Sequence, residues 1–108
     1  MKAFEDYIAA APSAVQLRLL DILTFIGEKF PDAEQRIYHG IPAFFKGKRD
    51  IICIGAYRDH FGIYVGCSLT EYLKRKYPEC RYTKSAVQFP YTQPLPADIL
   101  TDICAQIK

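Results

Sequence analysis

Asp50-Ile51-Ile52-Cys53-Ile54-Gly55-Ala56-Tyr57-Arg58-Asp59-His60-Phe61-Gly62-Ile63-Tyr64-Val65 reads as two β-strands joined by a tight connection. The run Ile51 to Ile54 is apolar on both faces, so the strand Asp50–Tyr57 belongs in the middle of a sheet. Arg58-Asp59-His60 is short and polar, and a connection of that length joins antiparallel neighbours. In the strand Phe61–Val65, alternation sends Phe61, Ile63 and Val65 to one face and Gly62 and Tyr64 to the other. The bulky set is the one that packs on a second layer.

Working outward, Ala43-Phe44-Phe45-Lys46 pairs with this centre through a hairpin at Gly47-Lys48, and Arg36-Ile37-Tyr38-His39 adds a strand that Gly40 and Pro42 end. On the other side a strand spans about Tyr82 to Phe89, with Val87 and Phe89 turned to the core. Helices flank the strands. Phe4, Tyr7 and Ile8 have helical spacing over Phe4–Ala10. Val15, Leu19, Ile22, Leu23, Ile26 and Phe30 trace one apolar face with a period of about 3.6 residues. Ser13 and Gln16 have capping-box spacing at its start, and Pro31 stops it. Ser68–Tyr77 is a short helix with Ser68 as its predicted cap and Glu71 three residues on. The last helix opens at Leu95-Pro96-Ala97 and buries Ile99, Leu100, Ile103, Cys104 and Ile107. Helices gathered around a run of antiparallel strands predict an α+β fold, a two-layer sandwich with the helices on one sheet face. The other face is left partly open.

The bulk numbers narrow the class. The 108 residues fit one domain, residues 1–108, because domains run to roughly 100–200 residues. Half the residues are hydrophobic and 24% are charged, as in ordinary globular proteins. A net charge of +2 from 14 basic and 12 acidic residues is not the basic stripe that nucleic acid demands. Lys74-Arg75-Lys76, with Arg81 and Lys84 nearby, is the sole basic concentration and reads as a solvated face. No apolar run reaches the about 20 residues of a membrane helix. Acids stand at Glu5 and Asp6, where the apolar part of a signal peptide would begin. Cys53, Cys67, Cys80 and Cys104 stand singly, as reduced thiols do. These features predict a cytoplasmic protein that engages neither nucleic acid nor membrane.

The open face holds the candidate site. Gly62 and Ala86 are small, while Tyr64, Lys84 and Gln88 are long and polar, so together they outline a shallow depression rimmed by donors. Tyr38 joins either this face or the core, and His60 stands at its edge. The candidate ligand-binding set is Tyr38, His60, Tyr64, Lys84 and Gln88. Concave polar surfaces are the usual place for such sites, although the glycines, prolines and Phe89 serve the fold equally well.

These segments resemble the small bacterial YdhG-like family, a domain of unknown function. The resemblance rests on Tyr38, Gly40, Pro42 and Phe44; on Ala56, Tyr57, Arg58, His60, Gly62 and Tyr64; and on Lys84, Gln88, Phe89 and Pro90, followed by Pro94-Leu95-Pro96. It spans nearly the whole chain, with Ser85 where the family often has glycine. One branch of the family is described as frataxin-like iron chaperones. That resemblance implies a second reading, weak iron binding through carboxylates, for which Glu5, Asp6, Asp98 and Asp102 are the candidates. Hard oxygen ligands suit a transferable ferrous site, but an iron carrier gains from a negative field and this chain is slightly basic.

Catalytic signatures are missing. There is no Gly-x-Ser-x-Gly elbow, no phosphate-cradling glycine loop and no four-ligand zinc spacing. The expectation is therefore a non-enzymatic protein that binds a small molecule or a protein segment on its open sheet face, with iron chaperoning as the alternative.

Overall fold

A computed structural model describes residues 2–107. A 3₁₀ turn (Lys2–Phe4) leads into α1 (Glu5–Ala10) and α2 (Ser13–Lys29). Four strands follow, β1 (Glu34–Tyr38), β2 (Ile41–Lys46), β3 (Arg49–Ala56) and β4 (His60–Tyr64), and then α3 (Cys67–Lys76), β5 (Arg81–Tyr82), β6 (Ala86–Pro90) and α4 (Ala97–Ile107). The six strands form one sheet in the order β1-β2-β3-β4-β6-β5, with every pairing antiparallel. β3 lies in the interior of the sheet, as its two-sided apolar run requires.

The main core fills the space between the sheet and the helices. Leu19, Ile22, Leu23 and Ile26 of α2, Leu73 of α3, and Leu100 and Ile103 of α4 meet Phe44, Ile52, Ile54, Phe61, Ile63, Val87 and Phe89. Burying one such side chain contributes about 1.5–3 kcal/mol, so this face dominates the stability. On the opposite face a smaller cluster joins Ala43, Phe45 and Cys53, with Ile41 and Tyr64 against it. The α+β architecture with helices on one face is what the strand alternation demands.

Three local expectations are corrected. Ser13 is the first residue of α2 rather than its cap, because Pro12 holds the cap position. Proline has no N–H to complete a capping box, and the Gln16 amide donates instead to the carbonyls of Ala9 and Ala11, at 3.3 and 2.9 Å. Likewise α3 starts at Cys67 behind Gly66, and Ser68 makes no capping bond. The span Tyr82–Phe89 is not one strand. It folds at Thr83-Lys84-Ser85, where the Thr83 amide donates to the Ala86 carbonyl at 2.9 Å, so that β5 pairs back on β6. Tyr82 explains the fold-back: its hydroxyl donates to the carbonyls of Leu73 and Tyr77, at 3.0 and 2.7 Å. Both carbonyls also accept backbone amides, from Tyr77 and Cys80, so the hydroxyl adds a second bond to each and pins Tyr82 against the end of α3.

Pro42, expected to end a strand, lies inside β2 opposite Ile37. The pairing of β2 with β3 begins only at Ala43, so no ladder bond from residue 42 is lost on that side.

The β1–β2 hairpin closes through His39 and Gly40, with φ of 52° and 79°. Positive φ at both central residues is the pattern of a type I′ turn, which matches the twist of its strands. His39→Val is therefore expected to cost about 1–2 kcal/mol in chemical denaturation, whereas His39→Asn is expected to be neutral.

Candidate functional site

An irregularity in β2–β3 builds the site. The register shifts between Phe44 and Phe45, so that Phe44 faces Ile52 but Phe45 faces Asp50. Ile51 is the extra residue of a bulge, and Ile51 and Ile52 both join the helix-side core. Asp50 and Cys53 therefore come together on the open side, three residues apart, where strict alternation would separate them. The Cys53 thiol donates to Asp50 Oδ2 across 3.6 Å.

A second feature is the cross-strand pair Gly55 and Gly62. Tyr57, just past β3, folds its ring back over both. A Cβ on Gly55 would stand 2.5 Å from the Tyr57 hydroxyl oxygen, and one on Gly62 would stand 3.1 Å from the ring. Side chains cannot occupy those positions without moving the tyrosine. The ring ends on Tyr64, the two hydroxyls 2.5 Å apart. Its backbone is pinned as well: the Tyr57 amide donates to the His60 carbonyl at 2.9 Å, and the Tyr91 hydroxyl donates to the Tyr57 carbonyl. From the other side the Ala56 amide donates to the Tyr7 hydroxyl at 2.9 Å.

Between these features lies a cavity of about 290 Å³ walled by Tyr38, His39, Ile41, Asp50, Cys53, Tyr57 and Tyr64. Tyr38 stands edge-on to Phe45, with ring centres 5.1 Å apart, and against His39 at 4.1 Å. Burial, with Asp50 adding to it, pushes the Cys53 thiol up to about 12. The thiol is therefore protonated at neutral pH and forms a wall rather than a nucleophile. Burial, then the hydrogen bond with Tyr64, raises the Tyr57 phenol above its ordinary range.

Of the five residues that the sequence singles out, Tyr38 and Tyr64 line this cavity. His60 stands behind Tyr57, ring centres 5.2 Å apart. Its Nδ1 is 2.7 Å from Asp59 Oδ1, and that contact holds the Asp59 carboxyl below its usual range. Gln88 lies opposite Gly62 in β4 and Arg81 in β5. Lys84 sits exposed in the β5–β6 turn. Neither Lys84 nor Gln88 lines the cavity. The depression expected over Gly62 is covered by the Tyr57 ring, which displaces the hollow toward β1 and β2. Tyr57, Asp50, Cys53, His39 and Ile41 were not singled out. The facing glycines were the available signal for Tyr57, since two small residues side by side in a sheet mark a close approach.

The four carboxylates named for iron behave differently from one another. Glu5 and Asp6 lie in the first turn of α1 and Asp98 in the first turn of α4. Asp102 is engaged: Lys76 Nζ stands 2.9 Å from it, and the hydroxyls of Tyr77 and Tyr72 donate to it at 2.8 and 3.2 Å. Among the described residues no group of three or more His, Cys, Asp or Glu side chains is placed to hold a metal ion. No helix among them is long and apolar enough to cross a membrane.

No protein-family model matches the chain, and no curated protein does. Among solved structures, the chain is similar in fold to a DUF1801-family protein, YdhG, from Bacillus subtilis. The TM-score is 0.88 at 20% sequence identity, over 98% of this chain and 87% of that one.

Proposed function

We propose that this protein is a small non-enzymatic binding module whose ligand site is the tyrosine-walled cavity on the open face of the sheet. The observation that carries the reading is the cavity itself. It lies on the face the helices leave bare, and a backbone bulge and a glycine pair combine to shape it. Both devices cost a sheet regular packing, and such departures concentrate where a structure serves a ligand. Pockets that enclose drug-sized ligands run from about 300 to 1,000 Å³. At about 290 Å³ this one suits a fragment-sized molecule or a single side chain of a partner. The protonated Cys53 and the absence of an activated nucleophile among the lining residues favour holding over reacting.

The test is a small-fragment screen by saturation-transfer NMR on the wild type and on Gly55→Ala. The added methyl group forces Tyr57 off its platform, which is expected to abolish binding. Because Tyr57 can swing outward, the stability change is expected to stay within about 1 kcal/mol. Lys84→Ala and Gln88→Ala are expected to bind as the wild type does. A screen in which no fragment distinguishes wild type from Gly55→Ala removes the reading.

A further inference from the structure

The cavity is lined by three tyrosines, a histidine and a carboxylate, and this combination selects a charge. Three of its lining residues are tyrosines, Tyr38, Tyr57 and Tyr64, with the His39 ring tilted against the first. The faces of such rings are electron-rich and attract a cation lying against them. Asp50 supplies the formal charge. Among the described residues no lysine, arginine or histidine forms an ion pair with it, and it accepts a hydrogen bond from the Cys53 thiol alone. No lysine or arginine lines the cavity, so no permanent positive charge there competes for Asp50 or favours an anion. Of the cations nearby, Arg49 adjoins Asp50 and lines a separate hollow with it, and Arg36 is already committed. It lies over the Phe45 ring, 4.5 Å from its centre, and pairs with Glu34 at 2.7 Å.

Resting on the binding-module reading above, we infer that the ligand is a small organic ammonium cation, held against the faces of Tyr38, Tyr57 and Tyr64 with Asp50 as its counter-charge. The substituents on the nitrogen are alkyl groups. A bare ammonium is strongly hydrated and wants hydrogen-bond acceptors on every side, whereas an alkylated one spreads its charge over carbon and packs on rings. The cavity volume fits a tri- or tetra-alkylated head group with a short tail that leaves toward solvent. Tyr57 and Tyr64 hold each other through their hydroxyls, so two walls are positioned before a ligand arrives, which lowers the ordering cost of binding.

The decisive experiment titrates the protein with tetramethylammonium, with choline and with 3,3-dimethylbutan-1-ol, the neutral carbon isostere of choline. Binding is read from the NMR shifts of the tyrosine rings, in a chain that has eight tyrosines and no tryptophan. Choline is expected to bind about tenfold or more tightly than its isostere, a difference of about 1.4 kcal/mol. Tyr38→Leu and Asp50→Asn, both at exposed positions, are each expected to weaken choline roughly fivefold or more, and Tyr38→Phe is expected to preserve it. Amide spectra of each variant establish that it is folded. Equal binding of choline and its isostere overturns the cation inference and leaves the pocket reading standing. So do fragments that bind the wild type but not Gly55→Ala while neither ammonium probe saturates. If no fragment and no ammonium probe moves a tyrosine signal, both readings fall.

Discussion

Phe61→Ala is expected to lower the free energy of unfolding by about 3–5 kcal/mol, the usual cost of emptying a buried phenylalanine site. Phe61 is 1% exposed and meets helix-layer residues in the main core. Domains of this size are stable by only about 5–15 kcal/mol, so the substitution removes a large share of the total. The effect reaches the open face through one intermediary. Phe61 stands edge-on to Tyr91, with ring centres 4.6 Å apart, and the Tyr91 hydroxyl holds the Tyr57 carbonyl. The Tyr91 amide also donates to the Asp59 carbonyl at 3.2 Å. Loss of the Phe61 ring therefore frees the turn that lays Tyr57 over the glycines. Folded Phe61→Ala protein is expected to lose the tyrosine-walled cavity as well as stability. Denaturant titration measures the first effect, and the Tyr57 ring signals report the second. Phe61→Leu keeps most of the volume and is expected to cost about 1–2 kcal/mol. A Phe61→Ala protein within about 1 kcal/mol of the wild type would contradict this account.

Asp102→Ala carries the second large effect, an expected loss of about 2–3 kcal/mol. That value lies between the ~0–1 kcal/mol of an exposed ion pair and the ~3–5 kcal/mol of a broken buried one. The Asp102 side chain is 11% exposed. It ties α4 to the end of α3 by accepting from Lys76, Tyr72 and Tyr77, and the substitution strands those donors. Burial by itself would raise the Asp102 carboxyl. The hydrogen bonds from Lys76, Tyr77 and Gln106 outweigh burial and hold its pKa below the usual carboxylate value. A depressed carboxylate contributes stability that is complete above its unfolded pKa, near 3.9, and is lost as pH falls through the lower folded value. Lys76 is shifted the other way, raised chiefly by its hydrogen bond to Asp102, so its part is lost only as pH rises through that raised value. The interaction thus persists from about pH 4 into the alkaline range. Asp102→Ala is expected to destabilise the protein throughout that window and to flatten the fall in stability below it. A variant as stable as the wild type at pH 7 would remove Asp102 from its structural role.

That network bears on the iron reading. A carboxylate that ties two helices together is not free to pick up and release a metal ion, and Asp102 was one of the four proposed ligands. The exposed Glu5, Asp6 and Asp98 lie at helix starts, where negative charge is favoured by the dipole. This explains their positions without a ligand.

The fold was legible in the chain because its signals are local and repeated. The two-sided run Ile51 to Ile54 demanded an interior strand. The alternation of Phe61, Gly62, Ile63 and Tyr64 assigned both faces of β4 correctly, and the apolar stripe of α2 named the residues that meet them. The turn at Gly47-Lys48 and the stop at Pro31 follow from backbone chemistry that any context preserves. Tyr64 was legible as an open-face residue for the same reason, whereas a strand as short as Arg36–His39 left Tyr38 between that face and the core.

What eluded the sequence depends on contacts between distant residues. Periodicity cannot show a bulge, because the extra residue at Ile51 is defined only against the partner strand. Without that bulge Asp50 and Cys53 belong to opposite faces. Nor can alternation place Tyr57, a residue beyond the end of its strand, whose ring is drawn back across the sheet by the gap that Gly55 and Gly62 leave together. Lys84 and Gln88 looked like the rim of one depression because Tyr82–Phe89 reads as a single strand. The turn at Thr83-Lys84-Ser85, with the Tyr82 hydroxyl held at the end of α3, bends it instead and carries Lys84 away. The sequence by itself determined the layers and which side chains fill the core, since burial of apolar surface follows from spacing alone. The position of the cavity was decided by the tertiary structure, because it is a space between side chains that only the register of β2, β3 and β4 brings together.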